Sequence, residues 1–298
     1  MVAEKKVHLS QIATMISELL DMISPKLTKH HKTVAYMSHL IAQQMGMPPR
    51  QQDALILAGM MHDIGGLTME EKLFQLDFDS DKPNKHAERG YLTLRGFDPF
   101  LKPAEIIRHH HVHWNHGIGE HHAGSRVPVE SHIIHLADRV SVMIDFNQDI
   151  LTQMDDIRSE VARRSGKVFM PDVVDAFDLV ARKESLSYNI RTPLLCFYLN
   201  RRTQRLPYIT MNLEDMDELA QVFCRIIDFR SPFTASHSSG VASCAAELAR
   251  LCGMSPSEVT MMRAAGHFHD IGKMAVPTEI LEKKEPLTRS EMNTVKSH

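Results

Sequence analysis

Two His-Asp pairs, His62-Asp63 and His269-Asp270, stand in the same phrase, His-Asp-Ile-Gly, 207 residues apart. A further histidine precedes each pair by 32 residues, His30 in one case and His237 in the other. Adjacent His and Asp can give one cation an imidazole nitrogen and a carboxylate oxygen, two ligands of different hardness. A single His-Asp dipeptide carries little information, because it is common by chance. Recurrence at an equal upstream spacing changes that. Comparing 20–65 with 227–272 gives 16 identities in 46 ungapped positions, among them Val34-Ala35/Val241-Ala242, Gly46-Met47/Gly253-Met254 and Ala58-Gly59/Ala265-Gly266. Solenoid units run to roughly 20–50 residues, so an offset of 207 marks a duplicated domain.

More donors follow the first pair. His86 lies in Lys-His-Ala-Glu-Arg-Gly at a helix start, and His109-His110-His111 follow Ile106-Ile107-Arg108 at a helix end. Asp138 sits within Ile-Ile-His-Leu-Ala-Asp, an apolar helical stretch where an unpaired carboxylate is costly and a metal is the simplest partner. Six or seven nitrogen and oxygen donors without a thiolate suit Fe or Mn, with Zn, Ni or Co also matching. They are too many for one ion with an open position, so two divalent ions are expected. Ile64-Gly65-Gly66 should end the helix and let backbone approach a ligand. The chain has 19 histidines, so most need another reading. His39, His113, His116, His121, His122 and His132 read as solvent-facing or structurally satisfied, with His116, His121 and His122 nearest a cleft. His135, three residues before Asp138, is the candidate for an outer partner. His31 has Ser238 as its repeat equivalent and is not expected to be a ligand.

The elements that must position these groups read as helices. Residues 9–23, 33–45 and 50–61 carry apolar positions near a 3.6 period, and 103–111, 130–146, 148–165 and 171–182 are further helical segments. No alternating pattern nominates a sheet, although 192–200 reads as a short strand. The fold class is therefore all-α, a helical bundle present in duplicate. The first unit runs over 1–190, a connector over 191–215, and the second unit over 216–298. The second unit has 28 residues after its His-Asp pair where the first uses more than 120, so an incomplete second copy within a longer protein is expected.

Bulk properties exclude several functions. Apolar residues make up 43% and charged residues 24% of 298, ordinary for a globular chain, and the net charge of −3 offers nothing to a nucleic-acid polymer or an anionic membrane. The charged N-terminus lacks a signal-peptide core, and the longest apolar run, Ala54–Met61, is far short of the ~20 residues of a membrane span. A cytoplasmic location is expected. Cys196, Cys224, Cys244 and Cys252 form no CxxC pair and read as buried small apolar residues. The 19 methionines read as core filler.

At this point the chain resembles the HD superfamily of metal-dependent phosphohydrolases, in particular its HD-GYP branch. The resemblance lies in His30 with Val34-Ala35, His62-Asp63-Ile64-Gly65, His86 with Gly90, His110-His111 with Trp114, Ala137-Asp138, and the closing stretch Gly166–Val174. It spans nearly all of 10–182 and resumes at 216–298. It implies an all-α HD bundle in which His30, His62 and Asp138 hold one ion, His86, His110 and His111 the other, and Asp63 bridges them. It also implies hydrolysis of a nucleotide phosphodiester or phosphomonoester, such as a cyclic dinucleotide, with His62 and Asp63 central to turnover. Arg108 and Asn115 are the candidates for substrate contact. In the second copy His237, His269, Asp270 and His298 are the corresponding metal candidates, and exposed apolar surface there would favour a homodimer.

The chain also departs from the branch. Asn115–Glu120 replaces the Gly-Tyr-Pro element, Gly66 stands where a lysine usually follows His-Asp-Ile-Gly, and Lys26 stands where trinuclear members carry a glutamate; Lys273 keeps the lysine in the second copy. These differences count against a third metal and against cyclic di-GMP specificity. Two rival readings remain: a regulatory module that keeps the fold without turnover, and a histidine-rich metal sensor. The ordered spacing accounts for most histidines and ranks the sensor last.

Overall fold

The structure is a computed structural model and describes residues 5–23, 29–66, 84–229, 237–281 and 283–296. It is all-α, as the periodicity requires, with strands confined to two short antiparallel pairs among the described residues. The first unit opens with β1 (Lys5–His8) and α1 (Leu9–Ile23), then α2 (His30–Gln44), α3 (Pro49–Met61), α4 (Asn84–Leu94) and α5 (Leu101–Arg108). A small hairpin follows, β2 (His121–His122) with β3 (Ser125–Arg126). Helices α6 (Val129–Met143), α7 (Ile150–Arg163), α8 (Pro171–Ala181) and α9 (Glu184–Arg191) complete the bundle. Helix starts follow local chemistry. Pro49 and Pro171 sit in the first turns of α3 and α8, where a missing N–H costs nothing, and Asp149 caps α7 by accepting from the Leu151 and Thr152 amides.

Helix α2 is the axis of the first unit, packed by α3, α6 and α8 and buried along most of its length. Its contact with α3 is unusually close. A Cβ on Gly59 would fall 2.6 Å from Ala35 Cα, so the two backbones meet at that point. The second unit repeats the device. Its helices α12 (His237–Leu251) and α13 (Pro256–Phe268) meet where a Cβ on Gly266 would lie 2.5 Å from Ala242 Cα. The identities Ala35/Ala242 and Gly59/Gly266 thus preserve one helix–helix approach in both copies.

The segment read as a connector is structured. Residues 192–200, expected as a strand, instead belong to α10 (Leu194–Thr203). A short apolar run does not distinguish strand from helix. Here Leu195, Leu199 and Thr203 are buried at four-residue spacing, and Arg202 ties the helix to His39 and Asp53. Next, β4 (Tyr208–Met211) pairs antiparallel with β1, Lys5 opposite Met211. The second unit contributes α11 (Leu213–Phe229), α12, α13, α14 (Thr278–Leu281) and α15 (Arg289–Lys296). Arg225 of α11 donates to the Leu92 and Thr93 carbonyls at the end of α4, and α1 packs on the turn Ile271–Ala275.

Some composition readings need correction. Cys224 is buried, but Cys244 and Cys252 are exposed on α12 and just after it. Met37, Met47, Met60, Met61, Met154 and Met211 fill the core, whereas Met254, Met261 and Met262 face outward on the second unit. No helix among the described residues is long and apolar enough to cross a membrane.

Candidate metal centre

Seven side chains from five places in the sequence meet inside the first unit. His30 opens α2, His62-Asp63 follow the last turn of α3, His86 lies on α4, His110-His111 follow α5, and Asp138 lies on α6. All seven are buried. They form two adjoining groups, His30-His62-Asp63 and His86-His110-His111, each with donor atoms within 4.8 Å of one another.

Asp63 joins the groups. Its Oδ2 lies 3.6 Å from His30 Nε2 and 3.4 Å from His62 Nε2, and its Oδ1 lies 3.7 Å from His86 Nε2. Asp138 Oδ1 lies 3.4 Å from His30 Nε2 and 3.7 Å from His62 Nε2. Gly65 permits this closeness, because a Cβ there would overlap the His86 carbonyl on α4. The close approach expected of this glycine is therefore made to the helix that carries His86.

The hydrogen bonds fix which ring atoms are available. Nδ1–H of His62 donates to the Gly59 carbonyl at 3.0 Å, and Nδ1–H of His110 to the Ile107 carbonyl at 2.6 Å. Each ring then presents an Nε2 lone pair inward. There His62 Nε2 meets His30 Nε2 at 3.2 Å, and His86 Nε2 meets His110 at 3.3 Å and His111 at 2.9 Å. Close-set imidazole nitrogens facing two carboxylates are donor types that divalent cations take. The donor chemistry therefore fits a metal pair.

The electrostatics agree. Burial, then the neighbouring His86 and His62, holds His110 down to about 3, and burial with His110 and His86 depresses His111 as well. Both rings stay neutral and ready to ligate. Burial also works against protonation of His30, but the hydrogen bonds it donates to Asp138 and Asp63 prevail and raise it to about 9. Burial would raise both carboxyls, yet His62 and His30 hold Asp63 well below the usual range, and Arg139, His30 and His62 do the same for Asp138.

Arg139 was absent from the sequence reading. Neighbouring residues on a helix point apart, yet this buried arginine folds back to put Nε at 3.1 Å and Nη2 at 2.7 Å from Asp138 Oδ2. The cation expected beside Asp138 is thus partly supplied by the protein. The other oxygen, Oδ1, is left facing the histidines.

The remaining candidates lie elsewhere. Arg108 forks Glu88 at 2.7 and 3.0 Å and covers the Tyr91 ring at 4.5 Å, linking α4 to α5. Asn115 is exposed on a turn stitched to 166–168, its N–H donating to the Lys167 carbonyl at 2.8 Å. His31 is buried and pairs with Asp21 at 2.7 Å. His135 packs its ring edge on His111 and stacks on His113. His39 and His132 are buried, and His116 and His121 are exposed.

The second unit repeats part of this geometry. His237 Nε2 and His269 Nε2 lie 3.5 and 3.1 Å from Asp270 Oδ2, and His269 Nδ1–H donates to the Gly266 carbonyl at 2.8 Å. The ring pair matches, 5.2 Å between centroids against 5.1 Å for His30 and His62. Two features differ: His237 and His269 are partly exposed, and Lys273 Nζ lies 2.6 Å from Asp270 Oδ2. His298 and Lys26 fall outside the described residues.

Comparisons with known proteins agree with this double arrangement. Family models described as HD domain match residues 27–143 and 221–298. The chain is 26% identical to a 3'3'-cGAMP-specific phosphodiesterase of Vibrio cholerae, across 99% of this chain and 70% of the relative. It is 27% identical to a cyclic di-GMP phosphodiesterase of Thermotoga maritima, across 56% of this chain and 47% of the relative. In fold it matches the crystal structure of a cyclic GMP-AMP specific phosphodiesterase of V. cholerae with a TM-score of 0.66 and 21% identity, covering 99% of this chain and 78% of that one. Two His-Asp cores on the same close-packed helix pair, matched twice by HD-domain models, place this chain in the HD superfamily of metal-dependent phosphohydrolases.

Proposed function

We propose that this chain is a phosphodiesterase acting on a cyclic dinucleotide and that its working metal pair belongs to the first unit. One observation carries the reading: Asp63 turns one carboxylate oxygen toward His30 and His62 and the other toward His86. His30, His62 and Asp138 would hold one divalent ion, and His86, His110 and His111 the other. Fe or Mn suits this thiolate-free set, with Zn, Ni or Co also compatible. When bound, such a pair supplies Lewis acidity toward phosphoryl oxygens and lowers the pKa of water at the site.

The chain's own residues set the conditions. Burial of the seven donors keeps bulk water out. Arg139 offsets one of the two carboxylates, so a metal-loaded centre carries net positive charge and draws an anionic phosphodiester. The two relatives act on cyclic dinucleotides by name. With Asn115–Glu120 in place of Gly-Tyr-Pro, cyclic GMP-AMP is the favoured substrate over cyclic di-GMP.

A second reading assigns turnover to the second unit and makes the first a regulator. Lys273 on Asp270 favours it, because the first unit has Gly66 at that place. One comparison separates the two. Metal-supplemented protein is assayed on 3'3'-cGAMP, cyclic di-GMP and a generic phosphodiester, with His62→Ala/Asp63→Ala set against His269→Ala/Asp270→Ala. The first pair is expected to abolish turnover, and the second to leave it within a few-fold. Survival of the first pair with loss in the second would transfer the activity to the C-terminal copy.

A further inference from the structure

A cavity of about 510 Å³ opens on the first unit where α2, α8, α9 and α10 converge, separate from the His-Asp centre. Its volume lies within the roughly 300–1,000 Å³ of small-molecule sites. The lining combines the Tyr36 and Tyr198 rings, the side-chain amides of Gln43, Gln44 and Asn189, and Lys183, and it contains no carboxylate. The two rings meet edge to face at 4.8 Å, the Tyr36 ring buried and the Tyr198 ring partly exposed. Asn189 Nδ2 donates to the Tyr36 hydroxyl at 2.7 Å, which leaves the phenolic proton for an acceptor in the cavity. Burial raises both phenols, Tyr198 to about 12, so both remain donors at neutral pH.

The duplication shows that the scaffold does not require this lining. Val34-Ala35 recur as Val241-Ala242, whereas Tyr36, Leu40, Gln43 and Gln44 correspond to Ser243, Glu247, Arg250 and Leu251. These residues vary on the same helix whose packing positions are kept. A partly exposed aromatic ring beside amides suits a heteroaromatic base, which packs on rings and pairs through its edge. One ammonium with no opposing carboxylate suits a single phosphate.

We infer that this cavity binds a purine nucleoside 5'-monophosphate, with the base against Tyr198, its edge at the Tyr36 hydroxyl and the amides, and the phosphate at Lys183. The inference does not depend on which unit performs turnover. The test is isothermal titration of the full chain with AMP and GMP, and with adenosine and inorganic phosphate as controls. Wild type is compared with Asp63→Asn, which disables the metal centre, and with Lys183→Glu and Gln44→Ala, both exposed positions. Expected are sub-millimolar binding of a monophosphate to wild type and to Asp63→Asn alike, and weakening of at least tenfold in Lys183→Glu at unchanged melting temperature. Gln44→Ala should weaken the monophosphate and leave inorganic phosphate unaffected. The inference is overturned if neither monophosphate binds, if binding disappears with Asp63→Asn, if Lys183→Glu binds as wild type does, or if adenosine binds as tightly as AMP.

Discussion

Asp138 and Arg139 form a buried ion pair beside the His-Asp cluster of the first unit. Removing one partner of such a pair costs about 3–5 kcal/mol, because the other charge is left uncompensated. Arg139→Met should therefore lower the stability of metal-free protein by about 3 kcal/mol. Added Mn should restore much of the loss, since a bound ion replaces the guanidinium beside the carboxylate. Thermal melts with and without metal check this, and an equal loss in both states would argue against it. The histidines set a pH dependence of their own. Burial above all holds His31, His39 and His132 near 4 and His110 near 3. Their neutral forms belong to the folded state, so their contribution is complete above 6.5 and is lost as pH falls toward 3 to 4. His30 behaves oppositely: its contribution is complete below 6.5 and is lost as pH rises through about 9. Metal-free protein should consequently melt highest near neutrality and fall on both sides. Metal loading should remove the alkaline fall by displacing the His30 proton, as a melting series across pH would show.

At the scale of elements, the α2–α3 contact positions His30 against His62. Gly59 allows it, with Ala35 already within contact distance of a hypothetical Cβ. Overpacking in a core costs about 1–3 kcal/mol, and here the clash is with backbone. Gly59→Val should lose at least about 2 kcal/mol and, by spreading the helices, lower the metal content of the first unit. Gly266→Val should disturb α12 and α13 in the same way and leave that metal in place. Metal analysis of the two variants separates the effects.

At the scale of the whole molecule, the two units differ in how well they cover themselves. Helix α2 is enclosed by α3, α6 and α8, while its counterpart α12 leaves Leu248 59% and Leu251 68% exposed, and Met254, Met261 and Met262 of the same unit are exposed as well. Exposed apolar side chains in such number promote association. Light scattering across a concentration series should show self-association of the chain, reduced by Leu248→Gln/Leu251→Gln with no change in first-unit metal content. A chain monomeric throughout would contradict this.

The sequence by itself determined the duplication, the all-α class and the set of metal-ligand residue types. Those signals are local: a fixed offset, a 3.6-residue period, and residue types recurring in order. Helices 9–23, 33–45 and 50–61 were legible to within a few residues for that reason, whereas the helix at 194–203 was not, because its apolar run was too short to reveal a period. Only the tertiary structure decided how the donors are used. It turned the Nε2 atoms inward by giving Nδ1–H to the Gly59 and Ile107 carbonyls, set Asp63 between two histidine groups, and gave Arg139 to Asp138. It also gave Arg108 to Glu88, drew β4 back to β1, and opened a cavity between α2 and α9. The His62–Gly59, His110–Ile107 and Arg139–Asp138 contacts are local and the others join residues distant in the chain, but all depend on side-chain directions that packing sets and residue spacing does not encode.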